Sequence, residues 1–261
     1  MRVRARESPS GKRRSCWSSS YLNACYPPLV YGHVKAESTV MNVDLLQARC
    51  KIATEQALRI HQLMPVEEPL SSRHRLARCS IALAMEHHVS ITTLVSVGNY
   101  SSAAALLRPL MEAGACGFWL TYACTAERLE ALLHGRDETP TLPKMINQLT
   151  RVPGLYGVRK LAGMLPKEGR YLDSYTHGGM AQLAQRDWKK PFDLSRNMHT
   201  LMASDMFALA GAAIGTVIYD AKDLFVYLGM RRDQIAEEVS VRTGQPKVED
   251  PWVPFPAPEL S

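Results

Sequence analysis

Arg108 and Glu112 stand four residues apart in the segment ALLRPLMEAG. On a helix that spacing puts both on one face, where they can pair. The surroundings are apolar, and buried charges are costly unless paired and hydrogen-bonded. Two readings follow. The pair is an internal ion pair that fixes a kink at Pro109, or it lines a polar pocket. A second segment, Arg170-Tyr-Leu-Asp-Ser-Tyr-Thr-His177, gathers titratable and hydroxyl groups just before Gly178-Gly179. A helix C-terminus favours the charged imidazolium at His177. His177 could then act as an acid or base, or cap the last carbonyls. Arg108, Glu112, Ser174, Tyr175 and His177 are therefore the candidate ligand-binding residues.

Other chemistries lack their parts. Glu86, His87 and His88 are adjacent, so their side chains leave a helix in different directions and give no i, i+4 metal face. Glu130 and His134 share a face, but no further ligand is in register. The paired Glu-x-x-His spacing of a di-iron bundle is absent. So are a P-loop, a dinucleotide fingerprint and a G-x-S-x-G elbow. The six cysteines contain no CxxC pair, and Cys116 and Cys124 lie about 12 Å apart along a helix, too far for a disulfide. Reduced thiols, no metal and no cofactor are expected.

The RPLMEAG helix followed by SYTHGG resembles a bacterial family of helical proteins of unknown function, whose members pair an R-P-L-x-E helix with a later S-x-x-H-G turn. The likeness would span about residues 75–228 and implies that Arg108, Glu112, Ser174 and His177 converge. It carries no activity. A weaker resemblance is to HEPN-domain ribonucleases, which are helical, metal-independent and carry R-x(4–6)-H. Arg170 to His177 fits that gap. That resemblance implies His177 as general base for a ribose 2′-hydroxyl and Arg170 as the group stabilising the phosphorane. Composition alone predicts about two such spacings, and two occur, the other being Arg128–His134. Tyr171 also stands where that family usually has a polar residue.

The elements that must position these residues are helices. Leu46, Cys50, Ala53, Ala57, Ile60 and Met64 form one apolar stripe, predicting a helix over Val43–Met64 that Pro65 stops. A second helix follows a Ser71-Ser72 cap and runs to Val97, with Gly98 after it. A third starts behind Ser101 or Ser102, and Pro109 inside it removes the amide that would bond the Ala105 carbonyl. Thr125 caps a helix over 126–133 that Gly135 ends, and Thr141 caps another. Residues 155–176 read as broken helix. The last long helix is expected from Met198 to Leu228, capped by Asn197 and stopped by Gly229, with a short charged helix over 233–239. Its apolar centre is fourteen residues between Asp205 and Asp220, too short for the twenty or so that a bilayer needs. Gly211 and Gly215 permit close helix approach. The fold class is all-α, a bundle of about five major helices with short extras.

The net charge of +6 and pI near 9.0 suggest a polyanion partner. Seven of the 31 Lys and Arg residues and two of the 25 acidic ones fall in residues 1–40, which leaves 24 against 23 elsewhere. The helical body thus lacks a basic stripe for nucleic acid. Residues 1–40 read as a disordered leader, or as sequence upstream of a true start at Met41. The body is expected over 41–243, with a Pro-rich tail over 244–261. No secretory signal is evident in the leader, and a cytoplasmic protein without a membrane span is expected. Three functional readings stand. One is a non-catalytic module binding a small molecule or protein through a polar pocket. Another is a ribonuclease using Arg170 and His177, the only reading that takes RNA as partner. The third is a structural homodimer joined through the Gly211–Gly215 helix.

Overall fold

The computed structural model describes residues 43–244, apart from 69–70, 156–157, 159–161, 164–171 and 184–192, together with Pro258. The expected leader and nearly all of the tail lie outside the described residues, as does Arg170. The described residues are helical and contain no strand, so the chain is all-α. The helices are α1 (Val43–Leu63), α2 (Ser72–Ser96), α3 (Tyr100–Ala105), α4 (Leu107–Tyr122), α5 (Ala126–Leu133), α6 (Leu142–Leu149), α7 (Met180–Leu183), α8 (Leu194–Tyr219) and α9 (Lys222–Thr243). A further helical turn covers 172–176.

Local chemistry sets most of these ends. The Ser71 hydroxyl accepts the His74 amide at the start of α2, and Thr125 accepts the Arg128 amide at the start of α5. Gly98 and Gly135 follow α2 and α5 with φ of +82° and +64°, a conformation open to glycine at no steric cost. Pro109 divides the third expected helix into α3 and α4, joined through Leu106. At the far end of α4, the Arg73 guanidinium donates to the Leu120 carbonyl, an acceptor that the helix leaves open, and to the carbonyl of Cys124 just beyond the cap.

The final expected helix divides differently. Asp193, not Asn197, caps α8, its carboxylate accepting the Arg196 amide. Asp220 turns left-handed at φ +48° and separates α8 from α9. Asp is one of the few side chains that tolerate this conformation. Gly229, expected as a stop, is an interior residue of α9, and the short helix expected over 233–239 belongs to the same element.

α2, α4 and α8 form the central trio, with α1 against α2 and α8, α6 against α4, and α9 against α8. Small residues bring α4 and α8 together. A Cβ on Gly114 would stand 3.4 Å from the Gly211 Cα, and one on Gly211 would stand 3.3 Å from the Ala84 Cβ. Gly215 faces Met64 and Leu224. The Gly211–Gly215 pair thus makes its close contacts inside the chain. Trp119 is fully buried on α4, and its indole N–H donates to Gln148 on α6. α8 is long and apolar enough to cross a bilayer by composition, with mean hydropathy 1.7 over its best window, yet 78% of that window is buried by the other helices.

Candidate functional site

Arg108 lies in the first turn of α4, just before Pro109. Its Nε donates to Glu112 Oε1 at 2.8 Å, and its Nη1 pairs with the Asp173 carboxylate. The i, i+4 pair expected on α4 therefore forms, and it gains a third member from the 172–176 turn. Arg108 is mostly buried. Glu112 and Asp173 keep 41% and 44% of their side-chain surface exposed. This is a charged rim with a net charge of −1.

Pro109 ties that rim together from a second direction. Its missing amide frees the Ala105 carbonyl, and the Thr176 hydroxyl approaches that oxygen at 3.3 Å while also lying 3.0 Å from the Leu172 carbonyl. The Gln182 amide reaches the Ser101 carbonyl at 3.5 Å. The break in the α3–α4 rod is thus the seat on which residues 172–183 rest.

The remaining candidates divide by depth. Tyr175 is 2% exposed and belongs to the core under the turn, so its ring is no pocket wall open to solvent. Ser174 is half-buried, its carbonyl accepting the Gly179 amide at 2.7 Å. His177 is exposed, and its amide closes the turn onto the Asp173 carbonyl at 2.9 Å. Arg108, Glu112 and Asp173 converge. The spacing of Arg170 from His177 falls on a residue outside the described set.

A second constellation lies in the interior, and the sequence reading passed over it. Asp205, fully buried on α8, pairs with Arg49 of α1 and lies 3.5 Å from Arg231 Nη2 of α9. Glu238 faces both guanidiniums, at 3.1 Å from Arg49 Nε and 3.6 Å from Arg231 Nη1. Gln56 bridges the set, accepting from Arg231 Nε at 3.0 Å and donating to the Asp205 carbonyl at 3.1 Å. Two guanidiniums thus meet two carboxylates, which is the balance a low-dielectric interior demands.

His88 of α2 joins from the other side. Its Nε2 lies 3.3 Å from the Ala53 carbonyl and 3.5 Å from Asp205 Oδ1, and its Nδ1 lies 2.7 Å from the Ser204 hydroxyl. A carbonyl can only accept, so Nε2 carries the proton and Nδ1 accepts from Ser204. Burial holds the His88 pKa below its usual 6.5. Arg49 and Arg231 add to that, against the pull of Asp205 and the Ala53 carbonyl.

Ser204, His88 and Asp205 are the residue types of a nucleophile relay. Each is 0% exposed, and Asp205 is held by two guanidiniums. A nucleophile without access to a substrate does no acyl transfer, so the arrangement is a structural lock. Its signal in the sequence was a lone carboxylate in a helix apolar all round. Asp205 read as the boundary of an apolar run, whereas it sits in the middle of α8.

Among the described residues, no group of three or more His, Cys, Asp and Glu side chains is placed to hold a metal. The four described cysteines, Cys50, Cys79, Cys116 and Cys124, are free.

No curated protein and no solved structure matches the chain. A family profile matches residues 81–227, which takes in α3 to α8 with the Arg108 rim, His88 and Asp205. The chain belongs to that family, a family of unknown function (DUF6988).

Proposed function

We propose that this protein is a non-catalytic binding module, and that its ligand docks on the rim formed by Arg108, Glu112 and Asp173, with Ser174 and His177 beside it. The observation that carries the reading is the half-exposure of two carboxylates locked in place by one mostly buried guanidinium. Their outward oxygens are fixed acceptors whose positions need no further ordering on binding. They favour a small molecule or partner surface that brings cationic hydrogen-bond donors. The sealing of the Ser204–His88–Asp205 set supports a binding role over a hydrolytic one.

The test is a thermal-shift screen of the full chain against small cationic metabolites, repeated with Glu112→Gln, Asp173→Asn and His177→Ala. Saturation near a hundredfold above Kd stabilises by about 2.7 kcal/mol, a shift of a few degrees. The expected result is a ligand whose shift is lost in Asp173→Asn. A shift unchanged in all three variants overturns the site. Incubation with labelled RNA in chelator tests the rival: cleavage lost in both Arg170→Ala and His177→Ala overturns the non-catalytic reading.

A further inference from the structure

A groove of about 340 Å³ runs between α1 and α2, open to solvent, and shares no residue with the Arg108 rim. Its floor is Cys50 and Thr92, both buried. Burial raises the Cys50 pKa, which keeps the thiol protonated and poorly nucleophilic.

The walls are acceptors for a definite reason. Thr54, Thr92, Thr93 and Ser96 each spend their hydroxyl hydrogen on a backbone carbonyl three or four residues back in their own helix. Their oxygens retain lone pairs but no proton to give. Gln47 spends one amide hydrogen on the Ser96 carbonyl at 2.8 Å, leaving its carbonyl oxygen as acceptor and its second amide hydrogen as a neutral donor. Glu55 adds a carboxylate. Among the described residues, the one cationic donor lining the groove is Lys51.

Lys51 and Glu55 stand one helical turn apart, and neither forms an ion pair among the described residues. Lys preceding Glu is the weaker orientation of an i, i+4 pair, and Arg59, four residues after Glu55, donates to Gln62 instead, so each charge remains available to a third party. A row of acceptors ending in a carboxylate, with one ammonium a turn away, complements a molecule that carries its own ammonium and its own carboxylate.

We propose that this groove binds a small zwitterion of the free amino-acid class, its ammonium held by Glu55 and the threonine oxygens and its carboxylate by Lys51. The test is calorimetry on the full chain with each of the twenty standard free amino acids, followed by the N-acetyl and C-amide forms of any binder. Loss of a charge-assisted hydrogen bond weakens binding by about tenfold or more. That loss is expected for the N-acetyl form and for Glu55→Gln, and equally for the C-amide form and for Lys51→Gln. Both substituted side chains are exposed, so the variants keep the fold. Absence of saturable binding by every amino acid at millimolar concentration overturns the proposal. So does a binder that tolerates N-acetylation or Glu55→Gln, or one that binds Lys51→Gln as tightly as the parent chain.

Discussion

The hydroxyl of Thr176 stands 3.3 Å from the carbonyl oxygen of Ala105, and that carbonyl is the one Pro109 cannot serve. A defect in one helix is the docking point of a turn 71 residues later. The same turn delivers Asp173 to Arg108. Replacing Thr176 by Val keeps the shape and removes the donor. The expected cost is about 1 kcal/mol, read by urea denaturation. Ligand shifts that depend on Asp173 should weaken in the same variant.

Asp205→Asn should be far more damaging. It leaves Arg49 and Arg231 buried beside a neutral side chain, and breaking a buried pair from one side costs about 3–5 kcal/mol. Denaturant midpoints of Asp205→Asn and of Arg49→Met/Asp205→Leu separate the two contributions. The double variant should be the more stable, because it removes a buried charge of each sign.

His88 makes stability depend on pH. Its folded pKa lies below the usual 6.5, so the unfolded chain binds more protons in acid. The contribution is complete above that value and falls away as the pH drops through it. Each unit of pH should remove about 1.4 kcal/mol until the folded group titrates. His199 and His74, whose pKa values burial also lowers, act in the same direction. Urea melts between pH 5 and 8 should show a shallower slope in His88→Gln, with a residual slope from His199 and His74. An unchanged slope would count against His88 as the source.

Gly211 distinguishes an internal packing role from an intermolecular one. A side chain there meets Ala84 and Gly114 of the same chain. Gly211→Leu should destabilise the protein by about 3 kcal/mol through overpacking. Light scattering on the folded fraction should return the same mass as the parent chain.

The matched segment should not fold alone. Residues 81–227 contain Asp205 but lack Arg49, Arg231 and Gln56, which satisfy it, and they lack Ala53, whose carbonyl accepts from His88. Circular dichroism and denaturation of the excised segment, beside residues 43–244, check this. A cooperative melt from the short piece would refute it.

The local elements were readable because their causes are local. Ser71 and Thr125 cap helices a few residues away, and Pro109 breaks the helix that contains it. The split at Asp220 escaped notice because a left-handed Asp leaves no pattern in the flanking apolar run. Glu112 could be paired with Arg108 from spacing, whereas Asp173 lies 65 positions away and joins through the fold. The interior lock was hidden for the same reason. Arg49 and Asp205 are separated by 156 positions, and neither alone distinguishes a surface charge from a buried one. The adjacency of Glu86, His87 and His88 denies them a shared metal face, but it carries no information about Ser204, 116 positions away.

α8 offers apolar surface on every side. Hydrophobic burial alone would hold such a rod at many rotations and depths with similar energy. Asp205 removes that freedom, because only one angular setting and one axial position bring its carboxylate between Arg49 and Arg231. The carboxylate thus works as an index pin, and the Arg108 rim inherits its alignment from a charge buried on the opposite helix of the trio.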